Sequence, residues 1–471
     1  MARLLPAQWT VPTSPPPSPA VERTIVERLL SPIAEVRRGE VASALLLTLI
    51  MFLILGAYYM LKTAREVFIL SEGGAEVKSY SSAGQALLLL IIVPAYGAFA
   101  SRVSRIQLVQ WVTLFFASNL GVFLLALSAG WHVGIPYFLW IGIFNLMVIA
   151  QFWAFANDLY TQEQGKRLFP LIGVGSSLGA WVGSVRAGDI VETVGTERLL
   201  VAGALILVIC AFLSRLVYRF RPGADTPKAA AADEKPLGRE GGFAMVFSDR
   251  YLLLIAALSV LLNIVNTSGE YLFGRYVVEM AHATHGSGPE AEAAREAYIG
   301  GVYSQLFSTV NLAGFLMQMF VVSRVMKFLG VGKALFIHPI VALAGYLLML
   351  RAPSMTTMAY LKVADNSLDY SLGNTTKQAL WLPTSREAKY KAKQAVDSFF
   401  VRAGDVVQAG IVFAGERLAL TVPAFASVNV ALSGAWLGVV FLLNRQMRVI
   451  GTARPPASGR DAAVREGTAT T

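Results

Sequence analysis

An apolar run that begins near Ala42 and continues to Leu70 carries Lys62, Arg65 and Glu66 in its last third, and this combination restricts the fold more than any other stretch. Roughly 29 helical residues at about 1.5 Å each extend about 43 Å, more than the ~30 Å hydrocarbon core of a bilayer. The three charges therefore fall in the outer part of a membrane span or at its edge. A central Lys or Arg costs on the order of 2.5–3.5 kcal/mol, so it is expected to face a wet or protein-lined interior. Tyr58, Lys62 and Arg65 are spaced by four and three and share a helical face. That face sets two cations beside an aromatic ring, a setting for an anionic ligand with a flat ring. The competing reading has both cations snorkelling to lipid headgroups.

Such a span belongs in an all-α polytopic membrane protein, and the composition agrees. Of 471 residues, 55% are hydrophobic and only 15% charged, with mean hydropathy +0.56, which excludes an ordinary soluble globule. The net charge of +10 would suit nucleic acid, but the bases lie mainly in alternate loops between apolar runs. That is the positive-inside pattern, so the bilayer is the expected partner and nucleic acid is not. The single cysteine, Cys210, sits in an apolar run, leaving no disulfide framework or cysteine metal site.

Twelve spans are expected, at about 42–70, 82–100, 107–129, 135–158, 168–188, 197–219, 250–278, 298–322, 331–350, 354–373, 395–415 and 421–444. Basic loops fill every second connection, which puts both termini in the cytoplasm, with the cell (inner) membrane as the expected location. No signal peptide is read at the start. Residues 1–40 form a Pro-rich tail whose Ile25, Val26, Leu29 and Leu30 suit an amphipathic surface helix. The expected domains are a six-helix bundle at 41–220, a cytoplasmic linker at 221–248, a second six-helix bundle at 249–445 and a disordered tail at 446–471. The turn at 101–105 and the one at 323–327 are alike, as two related bundles would leave them, and such bundles rock about a site near the midplane.

Several motifs have plainer explanations. Gly173, Gly175, Gly179 and Gly183 resemble a dinucleotide-binding run, but no strand precedes them, and glycines four apart in a span let a neighbouring helix pack closely. His282 and His285 have metal-ligand spacing, yet sit in a polar loop. No nucleophile–histidine–carboxylate set can be assembled, so no enzyme, metal or cofactor is expected. Polar residues do gather in the first, fourth, seventh and tenth spans, the equivalent members of repeated three-helix units. Asn145 and Gln151 lie in the fourth, Asn266 and Glu270 in the seventh, Lys362, Asp365 and Asp369 in the tenth. The eleventh adds Asp397, Arg402 and Asp405. Local ion pairs, Lys362 with Asp365 and Arg402 with Asp405, are the alternative to a shared site.

Phe152-Trp153-x-Phe155-Ala156-Asn157 followed by Arg167-x-Phe169-Pro170-Leu171-x-Gly173 resembles the ATP/ADP translocase family of bacteria and plastids. So do Tyr370-Ser371-Leu372, Thr376-Lys377, Pro383 and the series Lys391, Lys393, Asp397, Arg402, Gly404. The resemblance implies a major-facilitator-like fold and ATP:ADP antiport by alternating access, with a monomeric transport unit. On this reading Lys62 and Arg65 hold phosphates, while Tyr58, Tyr59 or Trp153 shape around the base. Asn145, Gln151 and Asn266 supply neutral hydrogen bonds, and Glu270, Asp365 and Arg402 complete the substrate set. Glu66, Lys362, Asp397, Lys391 and Lys393 balance charge or gate. Two departures bear on the substrate: the acid near Asn266 is displaced one turn to Glu270, and no clear family acid stands at Asn145. A carrier of another phosphorylated or organic anion and a non-transporting anchor or sensor are the alternatives.

Overall fold

The computed structural model describes residues 36–37, 39–100, 105–220, 241–385 and 387–453. Residues 1–35 and 454–471 of the two tails, most of the expected linker and the basic turn at 101–104 lie outside the described residues, while 446–453, expected as the start of a disordered tail, continue the last helix. The first half of the chain contributes α1 (Val41–Ala100), α2 (Arg105–Ser128), α3 (Gly134–Leu159), α4 (Gln162–Val194) and α5 (Glu197–Arg219). The second begins with α6 (Gly242–Ser248), α7 (Arg250–His285), α8 (Glu292–Phe320), α9 (Val322–Ala334), α10 (Ile337–Arg351) and α11 (Met355–Leu368). A π-helical turn at Asp369–Gly373 carries α11 directly into α12 (Asn374–Ala379). Two more π-helical turns, Ala388–Ala392 and Val396–Phe400, flank α13 (Lys393–Ala395) and lead into α14 (Val401–Arg417), and α15 (Val422–Ala453) is last.

Among the described residues, eight helices are long and apolar enough to cross a membrane, or nine if α8 and α9, bent by 75°, make one broken span. That count treats residues 41–92 of α1 as a single span, although two were expected there. The backbone breaks at Gly74, whose φ of +71° lies in the left-handed region open to glycine. Lys78 Nζ stands 2.6 Å from Glu66 Oε2. A straight helix would set these residues about 18 Å apart along its axis, beyond the reach of the two side chains. The chain therefore turns back at Gly74, and α1 is a hairpin of two helices.

The glycine stripe of α4 is a packing surface. A Cβ on Gly175 would lie 2.7 Å from the Thr48 carbonyl oxygen, one on Gly179 2.1 Å from that of Phe52, and one on Gly183 2.3 Å from that of Gly56. Both partners repeat every four residues, so one face of α4 lies backbone to backbone on one face of α1. At the start of both helices, Arg167 reaches Glu40 at 2.9 Å, and a Thr161–Gln164 capping box begins α4. Glu72, beside the hairpin turn, accepts from the N–H groups of Val133 (2.9 Å) and Gly134 (2.7 Å) and so caps α3.

Helix α6 falls within the stretch expected as linker. Its Val246 is fully buried, and Phe243 and Phe247 pack on Phe399 and Phe400, so the apolar face has a partner. Asp249 ends α6 and caps α7 through the N–H groups of Tyr251 and Leu252.

Candidate functional site

A cavity of about 300 Å³ lies between helices of the two halves of the chain. The first helix of the α1 hairpin lines it with Tyr58, Lys62 and Arg65, and the second helix with Lys78. Asn145 faces it from α3, Asn266 and Glu270 from α7, Tyr370 from the π-helical turn, and Arg402 with Asp405 from α14. The wall is made of spans whose hydrophobic residues face lipid or neighbouring helices, which leaves the polar positions to turn inward.

The charges form a linked system. Arg65 is hydrogen-bonded to Glu66, which is fully buried and also holds Lys78. Lys78 crosses to the second half, 3.3 Å from Glu270 Oε2 and 3.3 Å from the Tyr303 hydroxyl. Glu270 is then 3.1 Å from Lys362, which donates to Asn266 Oδ1 at 2.7 Å and lies 3.5 Å from Asp365. Asp365 ends the chain on His338 Nε2 at 2.8 Å. Separately, Arg402 pairs with Asp405 at 3.1 Å, and Asp405 accepts from Asn263 at 2.8 Å. Five cations (Lys62, Arg65, Lys78, Lys362, Arg402) against four carboxylates (Glu66, Glu270, Asp365, Asp405) leave one net positive charge, 5 − 4, among these nine side chains. Lys62 carries that excess: among the described residues it has no carboxylate partner, and its ammonium rests over the Phe307 ring, 4.1 Å from the centroid.

Of the residues expected from sequence, Tyr58, Lys62, Arg65, Asn145, Asn266, Glu270 and Arg402 come together around this cavity. Others stand elsewhere. Asp365 is buried behind Lys362 rather than lining the space, its Oδ1 bonded to His338 Nε2 and its Oδ2 3.5 Å from the lysine ammonium. Lys362 is itself fully buried and reaches substrate space only through Asn266 and Glu270. Gln151 is buried, with neither amide atom hydrogen-bonded in the structure. Trp153 packs edge-on against Phe152 and Phe169, and Tyr59 is buried beside Phe307. Asp397, paired with Lys393 at 3.0 Å, lines a neighbouring cavity. The Lys391 carbonyl lies against Gly242 of α6. The ion pairs of Lys362 with Asp365 and Arg402 with Asp405 both form.

Lys78 is the main residue that sequence reasoning missed. Read linearly, it closes the loop after the first span. Only the turn-back at Gly74 returns it to the level of Glu66. Asn263 and Tyr370 were visible as polar positions, but nothing in their spacing aimed them at this cavity.

Further hydrogen bonds join the two halves, from the Gly74 end to the middle of the α1–α4 pair. Besides Lys78, Ser79 accepts from Gln408 (3.3 Å), the Ser184 carbonyl accepts from Ser304 (2.7 Å), and the Ala180 carbonyl accepts from Asn311 (3.3 Å). Helix crossings there are close, since a Cβ on Gly274 would lie 3.3 Å from Leu70 and one on Gly300 2.5 Å from Val191.

A polytopic helical chain with a cationic cavity between its two halves is, by class, a multi-pass membrane transporter and not an enzyme. A family model described as TLC ATP/ADP transporter matches residues 122–447, more than half of the chain, and the chain belongs to that family. The ADP,ATP carrier protein 1 of Rickettsia bellii is 21% identical, over 90% of this chain and 97% of its own length. The protein of the same name from Chlamydia muridarum is 22% identical, over 66% of this chain and 64% of its own. Among solved structures, a bacterial homologue of the iron transporter ferroportin in an inward-facing state has a TM-score of 0.56 at 16% identity, covering 88% of this chain and 99% of that one. The nucleoside transporter NupG has a TM-score of 0.55 at 12% identity, covering 88% and 100%. The fold is that of major-facilitator-like transporters.

Proposed function

We propose that this chain exchanges ATP for ADP across a membrane by alternating access, with Lys62 and Arg65 as the principal phosphate ligands. The observation that carries the reading is the meeting of four cations, Lys62, Arg65, Lys78 and Arg402, around one cavity drawn from both halves. Lys62 is free to take a phosphate oxygen, and Arg65 offers the planar fork that binds phosphate in bidentate fashion. Membership of the TLC family and likeness to ADP,ATP carriers over nearly their whole length support a nucleotide as the anion. Asn145 and Asn266 add neutral hydrogen-bonding groups where further acids would repel phosphate.

The architecture that goes with this function is twelve spans in two six-helix bundles, residues 41–220 and 249–445, joined by a cytoplasmic linker. The hairpin at Gly74 supports counting α1 as two of the twelve, and α8 with α9 and α10 supply two more. Both termini lie in the cytoplasm of a cell whose inner membrane holds the protein, and one chain is the transport unit. The two halves meet from the Gly74 end, through Lys78 and Ser79, to the middle of the α1–α4 pair, through Ser184 and Ala180. Transport then requires those bonds to break, and Lys78 becomes a gating residue beside Glu66 and Glu270.

Proteoliposomes test the proposal. Labelled ATP uptake is expected to require internal ADP and to fall at least tenfold in Arg65→Ala, the loss of one charge-assisted bidentate contact being worth about 1.5–3 kcal/mol. Uptake that ignores internal nucleotide, or that is unchanged in Arg65→Ala, removes the antiport or the residue from the mechanism.

A further inference from the structure

A second cavity of about 300 Å³ opens beside the first, and Asn263 and Asn266 stand in the wall of both. Its charges are balanced, unlike its neighbour's. Asp369 is paired with Lys377 at 3.2 Å and Asp397 with Lys393 at 3.0 Å, so 2 − 2 = 0 and no cation is left over for a polyphosphate. A neutral, flat, hydrogen-bonding group needs none.

Three helical stripes build the walls. Asn374, Gln378 and Trp381 follow one another at four and three residues along α12 and the turn after it. Ile255, Ser259 and Leu262 repeat that spacing on α7, and Asp397 with Val401 sits four apart at the start of α14. The stripes offer an indole and aliphatic side chains for the faces of a ring, with amides and a hydroxyl for its edge. The side chains of Asn374 and Gln378 are exposed and make no hydrogen bond among the described residues. Asp397 provides an acceptor of the kind an exocyclic amine seeks. From Asn266 at the junction to Ser259 is seven residues, about 10 Å along the helix, comparable with the separation of base and terminal phosphate in an extended nucleotide.

We infer that this second cavity is the base subsite of the transporter: Trp381 stacks on the purine of a nucleotide whose phosphates lie among Lys62, Arg65 and Arg402, and Gln378 with Asn374 reads the purine edge. The inference rests on the nucleotide reading and moves the base away from Trp153, which packs against Phe152 and Phe169. One substrate thus spans a cationic cavity and a charge-balanced one, so the phosphates are drawn to the first and the base is left to the second. The α7 amides Asn263 and Asn266 mark the boundary between its halves.

The test separates the two ends of the substrate. In proteoliposomes carrying the full chain, ATP, GTP, UTP and inorganic tripolyphosphate compete against labelled ATP uptake. Trp381→Ala is expected to weaken ATP about tenfold, or about 1.4 kcal/mol, within the range for base stacking on an aromatic ring. Tripolyphosphate, which needs only the cationic cavity, is expected to compete as before, and Trp381→Phe to lose much less than Trp381→Ala. Should Trp381→Ala not fold, Gln378→Ala at an exposed amide reads the same site. Its expected effect is a loss of about threefold for ATP and a narrowed ATP-to-UTP preference, with tripolyphosphate unmoved. ATP and tripolyphosphate weakened alike in Trp381→Ala, ATP unmoved in a folded Trp381→Ala, or ATP and base preference both unaltered in Gln378→Ala, overturns the subsite while leaving nucleotide exchange in place. A wild-type protein that exchanges no nucleotide overturns the parent reading and the subsite with it.

Discussion

Replacing Lys78 by methionine isolates the bond that holds the two halves together beside the cavity. The Lys78–Glu66 pair and the Arg65–Glu66 bond lie within the α1 hairpin and survive any rigid movement of the halves. Glu270 keeps Lys362 at 3.1 Å for the same reason. Among these contacts, those of Lys78 with Glu270 and with the Tyr303 hydroxyl, both 3.3 Å, are the ones that cross between the halves. At an effective dielectric constant near 20, two charges 3.3 Å apart attract by about 5 kcal/mol. Desolvation offsets most of that, and Glu270, whose side chain is 25% exposed, is screened further, which leaves roughly 1–2 kcal/mol specific to this state. The closed-to-open ratio at the Gly74 end is therefore expected to fall about 5- to 30-fold in Lys78→Met. Repulsion between the newly unshielded Glu66 and Glu270 acts in the same direction. Cys210 is the sole native cysteine and is buried, so Cys210→Ser gives a silent background. Ser82→Cys, at a position lining the cavity, reports access. In Lys78→Met, a membrane-impermeant maleimide applied from the Gly74 side should label that cysteine at least fivefold faster than in the otherwise identical background. Equal labelling rates in a monodisperse Lys78→Met protein would show that the closed end does not depend on this lysine.

Two further outcomes test the fold. Gly179→Leu places a side chain where even a Cβ would sit 2.1 Å from the Phe52 carbonyl oxygen, whereas Gly173 has nothing within 4 Å of its Cβ position. Gly179→Leu should abolish folded protein in detergent, and Gly173→Ala should leave the melting temperature within about 1 °C. At the start of α1, burial opposes the ionised form of Glu40, but hydrogen bonds and the charge of Arg167, with Gln164 and the Arg37 N–H, outweigh it and hold the pKa below the ordinary 4.5. A depressed carboxylate contributes stability that is present above the ordinary value and lost as pH falls through the lower folded one. The melting temperature should therefore be flat above pH 4.5 with respect to this group and decline below it, and Glu40→Gln should be less stable at neutral pH and lose that part of the acid dependence.

The helices and the face of Tyr58, Lys62 and Arg65 were legible because they depend on runs and spacings within one segment. So was the stripe from Gly175 to Gly183, whose four-residue period has a single physical use in a span. Asn145, Asn266, Glu270 and Arg402 could be gathered only by assuming that polar positions in equivalent spans face one space. The places of Asp365, Lys78 and Trp381 were not legible. Asp365 sits one turn from Lys362 in sequence, but His338, on another helix, decides that it points away from the cavity. Lys78 depends on a single glycine torsion. Trp381 looks like an interfacial anchor after a span. Its place in the wall of the second cavity follows only when α7 and the π-helical turn before α14 bring Ser259 and Asp397 to the same space.

Glu66 has a consequence for exchange itself. It is one carboxylate divided between a guanidinium that lines the cavity and an ammonium that reaches across to the other half. With Arg65 as the proposed phosphate ligand, a nucleotide that draws it away frees more of Glu66 for Lys78, and whatever Lys78 gives to Glu66 it withdraws from Glu270. On that proposal occupancy loosens the latch and an empty carrier stays fastened, which is the wiring a strict one-for-one swap requires.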